Sequence, residues 1–64
     1  MNTSDRIQEL IDFLCANLKD SDKHERGNYA AGTRLRKALQ AAIGDCRDIR
    51  KQVQDERQER KNNN

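Results

Sequence analysis

The residues with the clearest chemical use are cations at helical spacing: Arg34, Arg36 and Lys37 in one cluster, Arg47, Arg50 and Lys51 in a second. Guanidinium and ammonium groups repeated along one helix face bind phosphate oxygens, because each neutralises an anionic group and releases its counterion. Just upstream, Asn28 stands where a helix would begin and aim its unpaired backbone N–H groups outward. Asn28, Arg34, Arg36, Lys37, Arg47, Arg50 and Lys51 therefore form the candidate phosphate-binding set. They supply no pattern for reading base edges, so the binding expected is independent of sequence and weakened by salt. A solvated helix face held by ion pairs, such as Asp45 with Arg34 or with Arg50 of a neighbour, accounts for the same charges structurally. Sorting of the acids onto the opposite flank favours a binding surface, since a merely solvated face mixes its signs.

Other chemistries find little footing. Cys15, Cys46 and His24 lie far apart and show no Cys-x-x-Cys or His-x-x-x-His spacing, so no metal site is expected. One histidine, no Gly-rich phosphate loop and too little chain to build a pocket argue against an enzyme, a cofactor or a small-molecule substrate. No segment reads as a secretory signal, and no apolar run approaches the roughly 18 residues that span a bilayer. The expected setting is the cytoplasm, without a membrane partner and with both thiols reduced.

The elements that must position the cations are helices. The 64 residues include no Pro and no Trp, 38% of them are charged, and Phe13 and Tyr29 are the sole aromatics, a composition for helix rather than sheet. Residues 1–28 hold four basic and six acidic side chains, whereas residues 29–64 hold nine and five. Asn2, Thr3 and Ser4 offer N-caps, and Ile7, Leu10, Ile11, Leu14 and Leu18 form one apolar face, which predicts helix one over about 4–21. The polar run Asp20–Arg26 reads as loop or extra turn, with the connection at about 22–28 and Gly27 as the stop. Asn28 then caps helix two, expected over about 29–59, with residues 60–64 fraying.

Along helix two, Leu35, Leu39, Ala42, Cys46, Ile49 and Val53 recur in steps of four and three, the spacing of a coiled-coil seam. At about 100° per residue, Arg36, Arg47, Arg50, Lys51, Arg57 and Lys61 gather on one flank, and Asp45, Asp48, Asp55 and Glu59 on the other. An antiparallel hairpin of unequal arms would cover helix two only to about Asp45, leaving Cys46, Ile49 and Val53 for another subunit. Large apolar residues are few, so an obligate dimer or tetramer of hairpins, built as a helical bundle, is expected. If two second helices cross at Cys46, its thiols meet across a two-fold axis. Tyr29 is expected to pack on the end of helix one against Leu18, and Phe13 and Ile43 to join the core of the oligomer. Ala30, Ala31 and Gly32 permit close approach, either of a phosphate backbone or of the other arm.

The run Gly27-Asn28-Tyr29-Ala30-Ala31-Gly32-Thr33-Arg34-Leu35-Arg36-Lys37, with Arg50-Lys51 downstream and the acidic Asp55-Glu56 after it, resembles the N-terminal helical region of chlamydial linker-histone-like proteins and related bacterial and viral sequences. The resemblance covers about residues 7–56. It implies compaction of DNA in a nucleoid, without catalysis. Those proteins usually continue into a Lys/Ala/Pro-rich tail, which is not found in the sequence up to Asn64, and here Asp20–Arg26 looks like an insertion of about one helical turn. The reading that follows is an oligomeric helical hairpin that binds duplex DNA non-specifically and compacts or bridges it. The alternative is a coiled-coil adaptor that uses the same seam to bind a partner protein's helix.

Overall fold

A computed structural model describes residues 1–63. It is all-helical: α1 spans Thr3–Ala16, α2 spans Leu18–Glu25, and α3 spans Tyr29–Asn63. The first two form one bent arm that folds back antiparallel on the third, in an envelope of 55 × 16 × 14 Å.

Capping sets the starts. The Asn2 side chain accepts a 2.8 Å hydrogen bond from the Asp5 N–H, and Asp5 sits at the positive end of α1. The bend falls at Asn17, whose backbone N–H bonds to the Leu14 carbonyl while its side-chain amide donates to the Phe13 carbonyl at 2.8 Å. These short-range bonds tighten the last turn of α1 and re-aim the chain without leaving the helical region.

The arm does not end near residue 21 as its polar composition suggested. Asp20 to Glu25 are helical, and the connection shrinks to Arg26, Gly27 and Asn28. Local ion pairing between Asp22 and Arg26, and the docking of Asp20 on Arg34, hold a segment that has no apolar residue. The turn itself is a Schellman closure: the Asn28 N–H reaches the Lys23 carbonyl, the Gly27 N–H reaches that of His24, and Gly27 takes φ +95°. Only glycine adopts that conformation without strain. Asn28 then caps α3 by accepting from the Ala31 N–H at 3.0 Å.

A longer first arm changes what is covered. The hairpin is closed as far as Glu56, which accepts from the Thr3 hydroxyl, and Gln52, which accepts from Arg6 at 2.7 Å. Ile49 is therefore 9% exposed inside a single chain, correcting the expectation that it lay beyond the reach of helix one. The far end also differs from expectation: α3 runs through Asn63, so residues 60–63 continue the helix, while Asn64 lies outside the described residues.

The inward face of α3 carries Ala31, Leu35, Ala38, Ala42, Ile49, Gln52 and Glu56, in steps of four and three with one step of seven, rotated from the expected seam. Small residues let the arms approach closely, and among the described residues the buried set consists of three alanines and Ile49. Of the six expected seam residues, Leu35, Ala42 and Ile49 thus turn toward the first arm, whereas Leu39, Cys46 and Val53 lie on an exposed flank. Phe13 and Ile43 remain partly exposed.

Candidate nucleic-acid interface

The back of α3, away from the first arm, is where the cations lie. Its rows form two shallow hollows, one lined by Thr33, Arg36, Lys37 and Gln40, the other by Arg47, Arg50, Lys51 and Gln54. Arg36-Lys37-x-x-Gln40 and Arg50-Lys51-x-x-Gln54 are the same motif, 14 residues apart. At about 1.5 Å per residue that places equivalent groups about 21 Å apart along the axis. Fourteen residues are four turns of a helix packed on a partner, so both motifs face the same way. The two glutamines carry no charge, and it is the internal repeat that marks them.

Within these hollows Arg36, Lys37, Arg47 and Arg50 are exposed. Lys51 reaches Asp55 one turn on, at 3.2 Å, an exposed pair of small energetic weight that does not remove its charge from the surface. Arg57 and Lys61 continue the exposed basic surface toward the C-terminal end of α3.

Two members of the expected set stand apart. Arg34 turns toward the first arm, where its guanidinium bonds both carboxylate oxygens of Asp20 at 3.0 Å. That paired donation holds the Asp20 carboxyl below its ordinary value and raises Arg34. Arg34 sits on the acidic flank, separated from the back of the helix. Asn28 is engaged as a cap at its side chain and in the turn at its backbone N–H.

The tip of the hairpin differs from expectation too. Tyr29 is 88% exposed and does not pack on Leu18, which is itself 65% exposed. Its position on the outer side of the first turn of α3 is the reason. Ala31 is fully enclosed, and Gly32 gives the His24 ring its place: a Cβ built there would come within 2.7 Å of Nδ1. Two of the three small residues therefore serve the closure of the arms, and His24 has a packing role.

On the acidic flank, Asp45 shares a groove between the arms with Arg6, Glu9, Leu10, Phe13 and Ile49. Among the described residues no group of His, Cys, Asp or Glu side chains could hold a metal ion. Cys15 and Cys46 are both exposed and unpaired with each other. No helix among the described residues is long and apolar enough to cross a membrane.

A hairpin that arrays its charges in rows along open helix faces is of a class that works by surface contact. The chain belongs to the histone H1-like protein Hc1 family, whose model matches residues 1–59. That is a family of histone-like, DNA-binding proteins without enzymatic activity. No curated protein and no solved structure matches the chain.

Proposed function

We propose that this protein binds duplex DNA non-specifically through phosphate contacts from the back of α3, and that it compacts or bridges DNA in the nucleoid as an oligomer. The observation that carries the reading is the repeated Arg-Lys-x-x-Gln hollow, presented twice on the side of α3 that hairpin closure leaves free. Arginine and lysine supply the charge, and the glutamine amide supplies a neutral donor to a phosphate oxygen. Membership in a histone H1-like family agrees with it. Arg36, Lys37, Arg47, Arg50 and Lys51 carry the contact; Arg34 and Asn28 act mainly in building the hairpin beneath it. Each copy offers few contacts, and an oligomer multiplies them by raising the effective concentration of one ridge once another is bound.

The test is a gel shift on random-sequence duplex DNA at about 50 and about 200 mM salt, a range over which several phosphate contacts lose most of their affinity. Salt-sensitive shifts are expected, and Arg36→Glu with Lys37→Glu should abolish retention without lowering helicity. Retention unchanged in that variant removes the proposed site. No shift by the parent protein at low salt leaves the coiled-coil adaptor, a reading favoured by the apolar flank of α3.

A further inference from the structure

The two Arg-Lys-x-x-Gln hollows share a motif but not their surroundings. The second, at Arg47, Arg50, Lys51 and Gln54, is lined by polar side chains alone. The first runs on into a groove at the hairpin tip, because Thr33 and Arg36 line both. That groove has a volume of about 420 Å³, and His24, Tyr29, Gly32, Leu35 and Leu39 are among its walls. Cationic and apolar surfaces meet there.

Tyr29 is the member of this groove that hairpin closure does not use, since it is 88% exposed. It stands seven residues before Arg36 in the same helical row, two turns and about 10 Å nearer the tip, with Thr33 between them. The 14-residue repeat puts Ile43 in the equivalent place before Arg50. An aliphatic side chain has no π face. The tip alone couples a flat ring to a phosphate seat.

An apolar groove with an aromatic edge and a cation at its mouth suits a nucleotide, in which a flat base is joined to an anionic phosphate. A base inside a duplex is covered on both faces and is shut out. An unpaired base has a free face for the Tyr29 ring, while its flanking phosphates stay within reach of Arg36 and Lys37. The size agrees, since small-ligand sites run from about 300 to 1,000 Å³. The His24 ring, placed against Gly32, walls the groove on the side of the first arm. Charge favours this occupant over an apolar side chain of a partner protein, which would leave Arg36 and Lys37 without a counter-charge. Stacking reads no base edge, so capture is independent of sequence.

Resting on the phosphate contact proposed above, we infer that the hairpin tip captures one unpaired base of the DNA, with Tyr29 stacked on its face and Arg36 and Lys37 on its phosphates. The protein then distinguishes DNA by strand pairing. A strand end, gap or fork supplies such a base beside duplex. The tip settles on it while Arg50 and Lys51, about 21 Å along the same face, hold the adjoining duplex by its phosphates.

The test uses the full chain and three DNAs at about 50 mM salt: a blunt duplex, that duplex with a short thymine overhang, and the same overhang built of abasic sites. The abasic overhang keeps every phosphate and removes only the bases. The parent protein should bind the thymine overhang about 10-fold more tightly than the abasic one. Tyr29→Ala should bind the two overhangs equally, and Tyr29→Phe should keep the preference. The readout is a ratio between DNAs of identical charge, so a general loss of affinity does not imitate it. Tyr29 is the chain's one tyrosine and there is no Trp, so intrinsic emission reports this ring directly. The thymine overhang should quench it and the abasic overhang should not. A preference that survives in Tyr29→Ala overturns the inference, and so does equal quenching by the two overhangs. The two readings fail separately: salt-sensitive binding of all three DNAs without preference between the overhangs removes base capture alone, whereas no binding to any of them removes the phosphate contact on which it rests.

Discussion

The two ends of the hairpin are closed by different means. Near the turn, the stretch Asp20–Glu25, which has no apolar residue, lies close on α3 because Ala31, Gly32 and Ala38 leave room for it, and it is fastened by Asp20 on Arg34. At the open end, Ile49 is buried in the groove with Leu10, and beyond it the contact is a polar ladder of Thr3, Arg6, Gln52, Glu56 and the Met1 carbonyl. Close approach substitutes for hydrophobic mass at one end, and one aliphatic side chain carries most of the dry contact at the other. The large apolar residues thereby released face outward, which supports the oligomer in the proposed function.

The open end should break first when its one buried aliphatic is removed. Ile49→Ala should cost about 2 to 4 kcal/mol, the usual range for truncating a buried aliphatic. In thermal melts followed by circular dichroism the transition should shift well below that of the parent, with the polar ladder too weak to compensate. A near-neutral result would mean that the ladder, not Ile49, closes that end.

The turn end should instead fail by overfilling. Ala31 is fully enclosed, so Ala31→Leu should cost about 1 to 3 kcal/mol by forcing the arms apart. Amide exchange would show where: α2 should lose protection while α1 keeps it. Uniform loss along both segments would mean that the ends do not respond separately.

The glycines of α3 sharpen the same contrast at a smaller scale. Nothing lies within 4 Å of a Cβ built at Gly44, so Gly44→Ala should gain about 1 kcal/mol from helix propensity and reduced unfolded-state entropy. At Gly32 the same methyl meets the His24 ring at 2.7 Å, and the gain should be largely lost. In a His24→Ala background Gly32→Ala should recover it, a coupling readable in a double-mutant cycle by urea melts. Equal gains at both glycines in the parent would show that the His24 ring moves aside freely.

Which of these features were legible in the sequence follows from how local their causes are. The stop at Gly27, the caps at Asn2 and Asn28, and the helical class rest on neighbours a few residues apart, and the pattern exposes them. The facing of α3 does not. Leu35, Ala42 and Ile49 belong both to the row that includes Leu39, Cys46 and Val53 and to the row that includes Ala31, Ala38 and Gln52. Hydrophobicity favours the first row and close approach of the arms selects the second. The helicity of Asp20–Glu25 was hidden for a similar reason, since its fastening to Arg34 is tertiary. Arg34 was in turn grouped with the phosphate-binding cations because its hairpin partner lies 14 residues upstream. The basic back of α3 was visible as charge, but the pairing of its two hollows needed the glutamines as well as the cations.

The smallest effect concerns acid, and it should appear at the turn end. Hydrogen bonds from Arg34, and then its charge, hold the Asp20 carboxyl below the ordinary value of 3.8. A carboxyl depressed in the folded state adds stability that is fully present above its unfolded value and is lost as pH falls through its folded value. Asp20→Asn should therefore lower the melting temperature slightly at pH 7, and the gap to the parent should close only below the ordinary carboxylate range. Exposure of Arg34 to water keeps the effect modest. Followed by amide exchange, acidification should release α2 before α1 in the parent, and the pH dependence of that release should shrink in Asp20→Asn to what the Asp22–Arg26 pair leaves. Release of α1 first would place the acid-sensitive contact at the open end and reverse the assignment of this fastening to the turn.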